Sequence, residues 1–252
     1  VAGLAGDYED FFRRYDAFRY EREGHILHCL DAIDFKGKRV LEIGLGQGAD
    51  SEQIIRRGGA WNGVDLTRES VERVATRLRL RALPHGALVQ GSALALPFPD
   101  GSFDLVFSHG VLHHIPDIRR AQAEIARVLK PNGELVAMLY ARRSINYLLS
   151  IALVRRVGLA LLALSGVTPG GIYGQHLRNA RAMGLWRYLK MQNFIHRNTD
   201  GPLNPYSKVY SLRQVTEDFA NLTLVKAYQV FMYAPPLPVR VVATTKTPLT
   251  VA

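Results

Sequence analysis

The stretch RVLEIGLGQG, Arg39 to Gly48, decides the fold. Val40, Leu41 and Ile43 read as a strand buried on both faces, and ADSEQIIRR, Ala49 to Arg57, reads as the helix that this strand feeds. Gly44, Gly46 and Gly48 form the turn between them. Glycine is needed there because some positions take dihedrals that a side chain resists, and because a bound cofactor must approach the backbone where a Cβ would collide. A nucleotide-like ligand is the natural occupant of such a turn.

Two cofactors compete for it. Gly44-x-Gly46-x-x-Ala49 satisfies a dinucleotide fingerprint, and Asp65, closing the next strand, is placed for a ribose hydroxyl in either case. Glu42 lies two residues before the first glycine, where its carboxylate suits an ammonium better than a pyrophosphate. With the third glycine at 48, this favours S-adenosylmethionine.

Working outward, Asp7 to Ile33 carries apolar residues at helical spacing with a break at Gly24, which predicts two helices. Tyr8, Tyr15 and Tyr20 are expected to pack on the sheet, with closure of one of them over the cofactor beside Arg19 or His25 as the alternative. Cys29 falls on a helical apolar face and reads as packing; as the only cysteine it excludes a disulfide framework. Trp61 to Leu66 is a second strand, followed by a helix from Thr67 or Arg68 to Leu80. Ala87 to Ala93 and Phe103 to Gly110 are the third and fourth strands, separated by the loop LPFPDGS. Asp117 caps a helix from Ile118 to Leu129, the turn KPNG at Lys130 to Gly133 ends it, and ELVAMLYAR is the fifth strand. Thr223 to Val230 and Val239 to Lys246 are expected as a terminal antiparallel pair. Regular alternation of strand and helix predicts a doubly wound parallel sheet.

The motifs VLEIGLGQG, GVDL, LPFPDGSFDLVFS, VLHHI and LKPNGELV together resemble class I S-adenosylmethionine-dependent methyltransferases, in particular the small-molecule group of the ubiquinone and menaquinone biosynthesis enzymes. The likeness is strong over Phe35 to Tyr140. It implies an α/β, Rossmann-like, seven-stranded sheet whose last strand is antiparallel, here with a helical lid insertion. The expected organisation is residues 1–34 as helices covering the site, 35–142 as the cofactor-binding core, 143–215 as a basic apolar lid, and 216–252 as the completing strands. The resemblance places Glu42, Gly44, Gly46 and Gly48 at the methionine end, Asp65 and Leu66 at the ribose and adenine, Ser92 and Ala93 at the adenine amino group, and Ser108 and His109 beside the sulfonium. The family commonly has Asp where this chain has Ser92, a shorter and neutral acceptor.

Methyl transfer relies on positioning, and needs a base only when the acceptor carries a proton. His114, His113 and His109 are the candidates, each with helix capping or a backbone hydrogen bond as the bland alternative. Adjacent histidines without a carboxylate or cysteine partner make no metal site. Tyr20, Tyr140, Asn198, Asp200, Asn204, Tyr206 and Tyr210 are the candidates for contacting the acceptor.

The net charge of +10 is concentrated in one place. Ala141 to Arg213 holds eleven Lys and Arg and one acid, Asp200, so the rest of the chain balances. This segment also holds two apolar runs, Ile145 to Val154 and Val157 to Val167, split by Arg155 and Arg156 and each too short to span a bilayer, which takes roughly 20 residues. An ordinary lid, an amphiphilic anionic acceptor and transient contact with an anionic membrane surface all fit. The basic residues alternate with aliphatic ones and no RNA-reading module is visible. An RNA methyltransferase is therefore the second enzyme reading, and a catalytically silent methyltransferase-like binding protein the third. The partners expected are a small-molecule acceptor and, in a homodimer, a second copy. The acidic, aromatic N-terminus lacks the pattern of a secretory signal, so the expected location is cytoplasmic.

Overall fold

The computed structural model describes residues 8–142, 146–228 and 248–251. The expected strand Val239 to Lys246, its preceding proline loop, and the ends Ile145 and Val230 of two expected segments lie outside the described residues.

Five strands form a parallel sheet: β1 (Arg39–Ile43), β2 (Ala60–Asp65), β3 (Leu88–Gln90), β4 (Phe103–His109) and β5 (Leu129–Met138). Their order is β3-β2-β1-β4-β5. The register sets Glu42 opposite Gly63 on one side and Phe107 on the other. Apolar residues bury both faces of β1, β2 and β4, as the near-continuous apolar runs require. The chain winds outward in one direction through β2 and β3, then restarts at β4 on the other side of β1. That reversal leaves a crevice at the carboxyl ends of β1 and β4, where ligands bind in sheets of this kind.

Helices cover both faces. On one, α2 (His25–Asp31), α3 (Ala49–Arg56) and α4 (Arg68–Leu80) bury Leu30, Ile54, Trp61, Val74 and Leu78. On the other, α5 (Ile118–Val128) places Ile118, Ala121 and Ile125 against Phe98, Phe103 and Leu135. Asp117 caps α5 as the sequence predicts, accepting from the Arg120 amide at 3.2 Å. The KPNG turn is an irregularity at the start of β5: Asn132 takes φ 63°, and the register with β4 jumps from Phe103–Leu129 to Leu105–Glu134.

The first helix, α1 (Tyr8–Arg22), is tied down by charge. Arg77 of α4 is fully buried, donates to Glu52 of α3 at 2.9 Å and pairs with Asp16 of α1; Arg81 joins Glu52, Asp16 and Glu9. Tyr8 is exposed, unlike the expected packing on the sheet. Cys29 likewise lies on the exposed side of α2, because Ile26 and Leu30 take the inner face.

Beyond β5 comes a helical segment with its own core. Asn146–Arg155 is wound as a π-helix and runs into α6 (Arg156–Leu164). The helices α7 (Gly171–Met183), α8 (Leu185–Leu189) and α9 (Met191–Thr199) follow. Ile151, Leu159, Leu177, Tyr188 and Phe194 form their common core. The sequence predicts two short apolar runs broken by Arg155 and Arg156; they are one continuous helix instead. The break fails because Arg155 folds back, donating to Ser150 Oγ at 3.1 Å and the Asn198 carbonyl at 2.7 Å. Tyr147–Leu164 is therefore long and apolar enough to cross a membrane by length and composition, with mean hydropathy 1.9, and 17% of it is buried. The helix α10 (Leu212–Asp218) opens on a capping box of Ser211 and Gln214. The short strands β6 (Leu224–Tyr228) and β7 (Pro248–Val251) come last.

Candidate active site

The glycine turn crosses the mouth of the crevice. Gly44 takes φ 82°, and a Cβ there would fall 2.1 Å from Val111 Cγ2, so the neighbouring β4 loop closes over it. Gly46 takes φ 52°, and a Cβ there would meet nothing within 4 Å. The first glycine is thus required by packing within the protein, the second by its left-handed backbone, which leaves open space above it. Gly48, also left-handed, is the N-cap of α3. The cradle that a Cβ at Gly46 would fill, with a helix N-terminus behind it, fits the amino acid end of S-adenosylmethionine.

Glu42 lies beneath this turn and is buried. Its Oε2 accepts from Ser51 Oγ at 2.6 Å and from Trp61 Nε1 at 2.7 Å. Burial, reinforced by nearby Asp50, pushes its pKa up to about 8. Glu42 thus lies at the end of β1 where the sequence places it, with its carboxyl held by two donors. A second carboxyl group, Asp50, stands in the first turn of α3. Arg19 Nη2 donates to it at 2.6 Å and the Tyr20 hydroxyl at 3.3 Å, bringing α1 onto the site. Arg19 also lies 3.2 Å from His109 Nδ1. The sequence offered Arg19 as a candidate cover of the cofactor and Tyr20 as that or as an acceptor contact; it gave no signal for Asp50, because its partners are thirty residues upstream.

Asp65 ends β2. Its Oδ2 accepts from the Leu45 amide at 2.7 Å and its Oδ1 from the Thr67 amide and hydroxyl, both at 2.8 Å. It therefore clamps the glycine turn to the second strand and holds Thr67, the N-cap residue of α4. Leu66 beside it is 71% exposed, a bare apolar platform at the crevice edge. Ser92 and Ala93 follow β3, and the Ser92 hydroxyl accepts from the Leu94 amide at 3.2 Å.

Ser108 departs from expectation. Its hydroxyl is fully buried and donates to the Ile43 carbonyl at 2.9 Å, stitching β4 to β1 instead of facing a ligand. His109 is also buried, which lowers its pKa to about 4. His113 is fully buried, stacks on Tyr140 with ring centroids 3.7 Å apart, and is lowered to about 3, chiefly by burial. Both are therefore neutral and poorly basic at pH 7.

His114 is half-buried, and its Nδ1 donates to the Tyr206 carbonyl at 2.9 Å, since a carbonyl oxygen can only accept. Nε2 lies 3.9 Å from Asp200 Oδ2. The Tyr140 hydroxyl donates to Asp200 Oδ1 at 2.5 Å and Asn204 Nδ2 donates to Oδ2 at 3.1 Å. Burial, and after it the Asp200 contact, raises the Tyr140 hydroxyl well above its ordinary pKa. Asp200, the lone acid of the basic segment, thus joins that segment to the core. Two other candidates serve the scaffold. Asn198 is buried in α9 and donates to the Phe194 carbonyl at 2.8 Å, and Tyr210 is buried with its backbone paired to Tyr140. Among the described residues no group of three His, Cys, Asp or Glu could hold a metal ion.

Known proteins share this core. A sequence profile described as the methyltransferase domain matches residues 41–137. The uncharacterized methyltransferase YcgJ of Bacillus subtilis is 38% identical over 98 residues, 39% of each chain. Its crystal structure superposes with a TM-score of 0.52 at 24% identity, covering 82% of this chain and 70% of the other. The phthiotriol/phenolphthiotriol dimycocerosates methyltransferase of Mycobacterium tuberculosis is 37% identical over 40% of this chain and 37% of its own. The fatty-acid O-methyltransferase of Mycolicibacterium smegmatis is 37% identical over 40% and 36%. The chain thus spans about two-fifths of the curated relatives that it matches. Glycine turn, sheet order and profile agree over the same region: residues 41–137 match the methyltransferase domain and carry a Rossmann-like parallel sheet.

Proposed function

We propose that the chain is a small-molecule methyltransferase that moves a methyl group from S-adenosyl-L-methionine to an O, N or C atom of a partly apolar, anionic acceptor of lipid, prenyl, quinone or natural-product type. The observation that carries this reading is the bare backbone at Gly46, open on its ligand side at the reversal point of the sheet. The lipid and fatty-acid substrates in the names of two relatives support the acceptor class.

The cofactor, when bound, supplies a methyl group activated by positive sulfur. The chain's own residues do the rest. Gly44, Gly46 and Gly48 hold the methionine end, Asp65 the ribose, and Leu66, Ser92 and Ala93 the adenine. Arg19 and Tyr20 hold α1 over Asp50 and exclude water on one side. At the acceptor end Tyr140, Asn204 and Tyr206 fix Asp200 and His114, and His114 Nε2 receives the acceptor's proton while Asp200 stabilises the resulting imidazolium.

The domain plan belongs to the same proposal: helices 1–34 cover the site, 35–142 bind the cofactor, 143–215 form a lid, and 216–252 complete the sheet. A seven-stranded sheet with an antiparallel last strand is supported by pairing of Val251 with Leu135 of β5 and with Leu224 of β6, both antiparallel.

Calorimetric titration with S-adenosylhomocysteine, NAD and NADP tests the reading. Only the first is expected to bind, and Gly46→Val is expected to abolish that binding while thermal unfolding stays cooperative. Binding of a nicotinamide nucleotide, or normal homocysteine-ligand affinity in the variant, would refute it.

A further inference from the structure

The tip of the helical segment is apolar, exposed and collared by arginines. From Val157 to Leu177 the chain holds no Asp, Glu, Lys or Arg. This uncharged stretch is the end of α6, the turn 165–170 and the start of α7, with Gly166 and Gly171 at positive φ shaping the turn. Its inner side is committed, since Leu159 and Leu177 belong to the segment's core. Its outer side is bare. Leu161, Leu164, Val167, Ile172 and Tyr173 are each more than half exposed, and Leu164 reaches 76%. A contiguous apolar surface of this kind marks an interaction site.

Charge says what covers it. Arg156 stands eight residues before Leu164, about 12 Å along the helix, and Arg178 six residues after Ile172, about 9 Å. Arg181 continues the same arm. None of these three arginines has an ion-pair partner among the described acids. Both arms therefore place cations at a similar depth behind an uncharged tip. Interfacial helices bury their apolar side about 5–10 Å into the headgroup boundary, which sets such cations at the level of lipid phosphates.

We infer that the α6–α7 tip docks on an anionic bilayer surface, inserting its apolar residues while Arg156, Arg178 and Arg181 meet the headgroups. A second copy of the chain is the poorer occupant, because pairing this face with itself brings the two arginine collars together. Surface docking of the tip does not need Tyr147–Leu164 to span a bilayer, and the features of that helix stand against a span. Arg155 and Arg156 lie in its middle, and Ile151 and Leu159 are locked against α7 to α9.

The test is flotation of the full chain with vesicles of phosphatidylcholine, alone or mixed equally with phosphatidylglycerol. Binding is expected only to the anionic vesicles and weakens as salt rises. Leu164→Asp combined with Ile172→Asp is expected to abolish it. Arg178→Gln combined with Arg181→Gln is expected to weaken it by about thirtyfold. Both variants should keep the circular dichroism spectrum, and both should keep S-adenosylhomocysteine affinity, since the inference does not depend on the methyl-transfer reading. Absence of binding to anionic vesicles overturns it, as does equal binding by the Leu164/Ile172 variant. A concentration-dependent dimer lost in that variant, without vesicle binding, would assign the tip to a second copy instead.

Discussion

Glu42 shows how one side chain can serve the scaffold while lying under the ligand. Its pKa is raised from an ordinary 4.5 to about 8, so the folded protein keeps this proton where the unfolded chain has lost it. The group's contribution is complete below pH 4.5 and is lost as pH rises through 8. Glu42→Gln cannot titrate and still accepts from Ser51 and Trp61. Its melting temperature relative to the parent should climb steadily between pH 5 and 8, and a constant offset would mean that Glu42 is ionised when folded. His114 is a different case, its Nε2 lying 3.9 Å from Asp200 Oδ2. For an acceptor that must lose a proton, His114→Gln and Asp200→Asn should each lower kcat by about 10²–10⁴-fold with unchanged S-adenosylhomocysteine affinity. Such pairs are invisible in the chain order, because residues 114 and 200 come from different elements. The glycines were legible, since their dihedrals and clearances are local properties of a strand-to-helix turn.

At the scale of elements, α1 is held by ion pairs more than by a greasy face: only Phe11 and Phe12 are buried along it. Arg77 is the anchor, fully buried between Glu52 and Asp16. Arg77→Ala empties a buried site but leaves Glu52 paired with Arg56 and Arg81, and should cost about 1–3 kcal/mol in urea denaturation. Arg77→Met with Glu52→Gln removes both charges and should recover much of that loss, so a cycle with no coupling would dismiss the pair as a stabilising unit. The helices themselves were readable from apolar spacing, but this charge lattice was not, since Asp16, Glu52 and Arg77 are separated by dozens of residues and meet only when three helices stack. The continuous helix from Asn146 to Leu164 escaped for the opposite reason. Two adjacent arginines look like a break, and only the distant carbonyl of Asn198 explains why they are tolerated.

For the whole molecule, charge and hydropathy divide the chain more sharply than any linker does. A charge-balanced core carries the glycine turn, and a basic, apolar segment with a separate core follows β5. The parallel sheet was predictable because doubly buried strands give apolar runs and their helices give amphipathic ones. The way the segment meets the core was not, because it depends on one bridging acid, Asp200, reaching Tyr140 and His114. Methylation assays on fatty acids, prenyl phenols and RNA, scored in parallel, should show turnover with the amphiphilic acids or phenols; transfer to RNA alone would reassign the basic segment to nucleic acid.

Trp61 carries a further consequence. The chain has two tryptophans, one sealed against Glu42 beneath the glycine turn and the other, Trp186, 77% exposed on α8. Their emission is therefore separable without labels. Trp61 emits at short wavelength, shielded from acrylamide, and reports the floor of the pocket; Trp186 emits further to the red, open to quencher, and reports the helical segment. One cuvette can follow both halves of the protein as they fill, close or unfold.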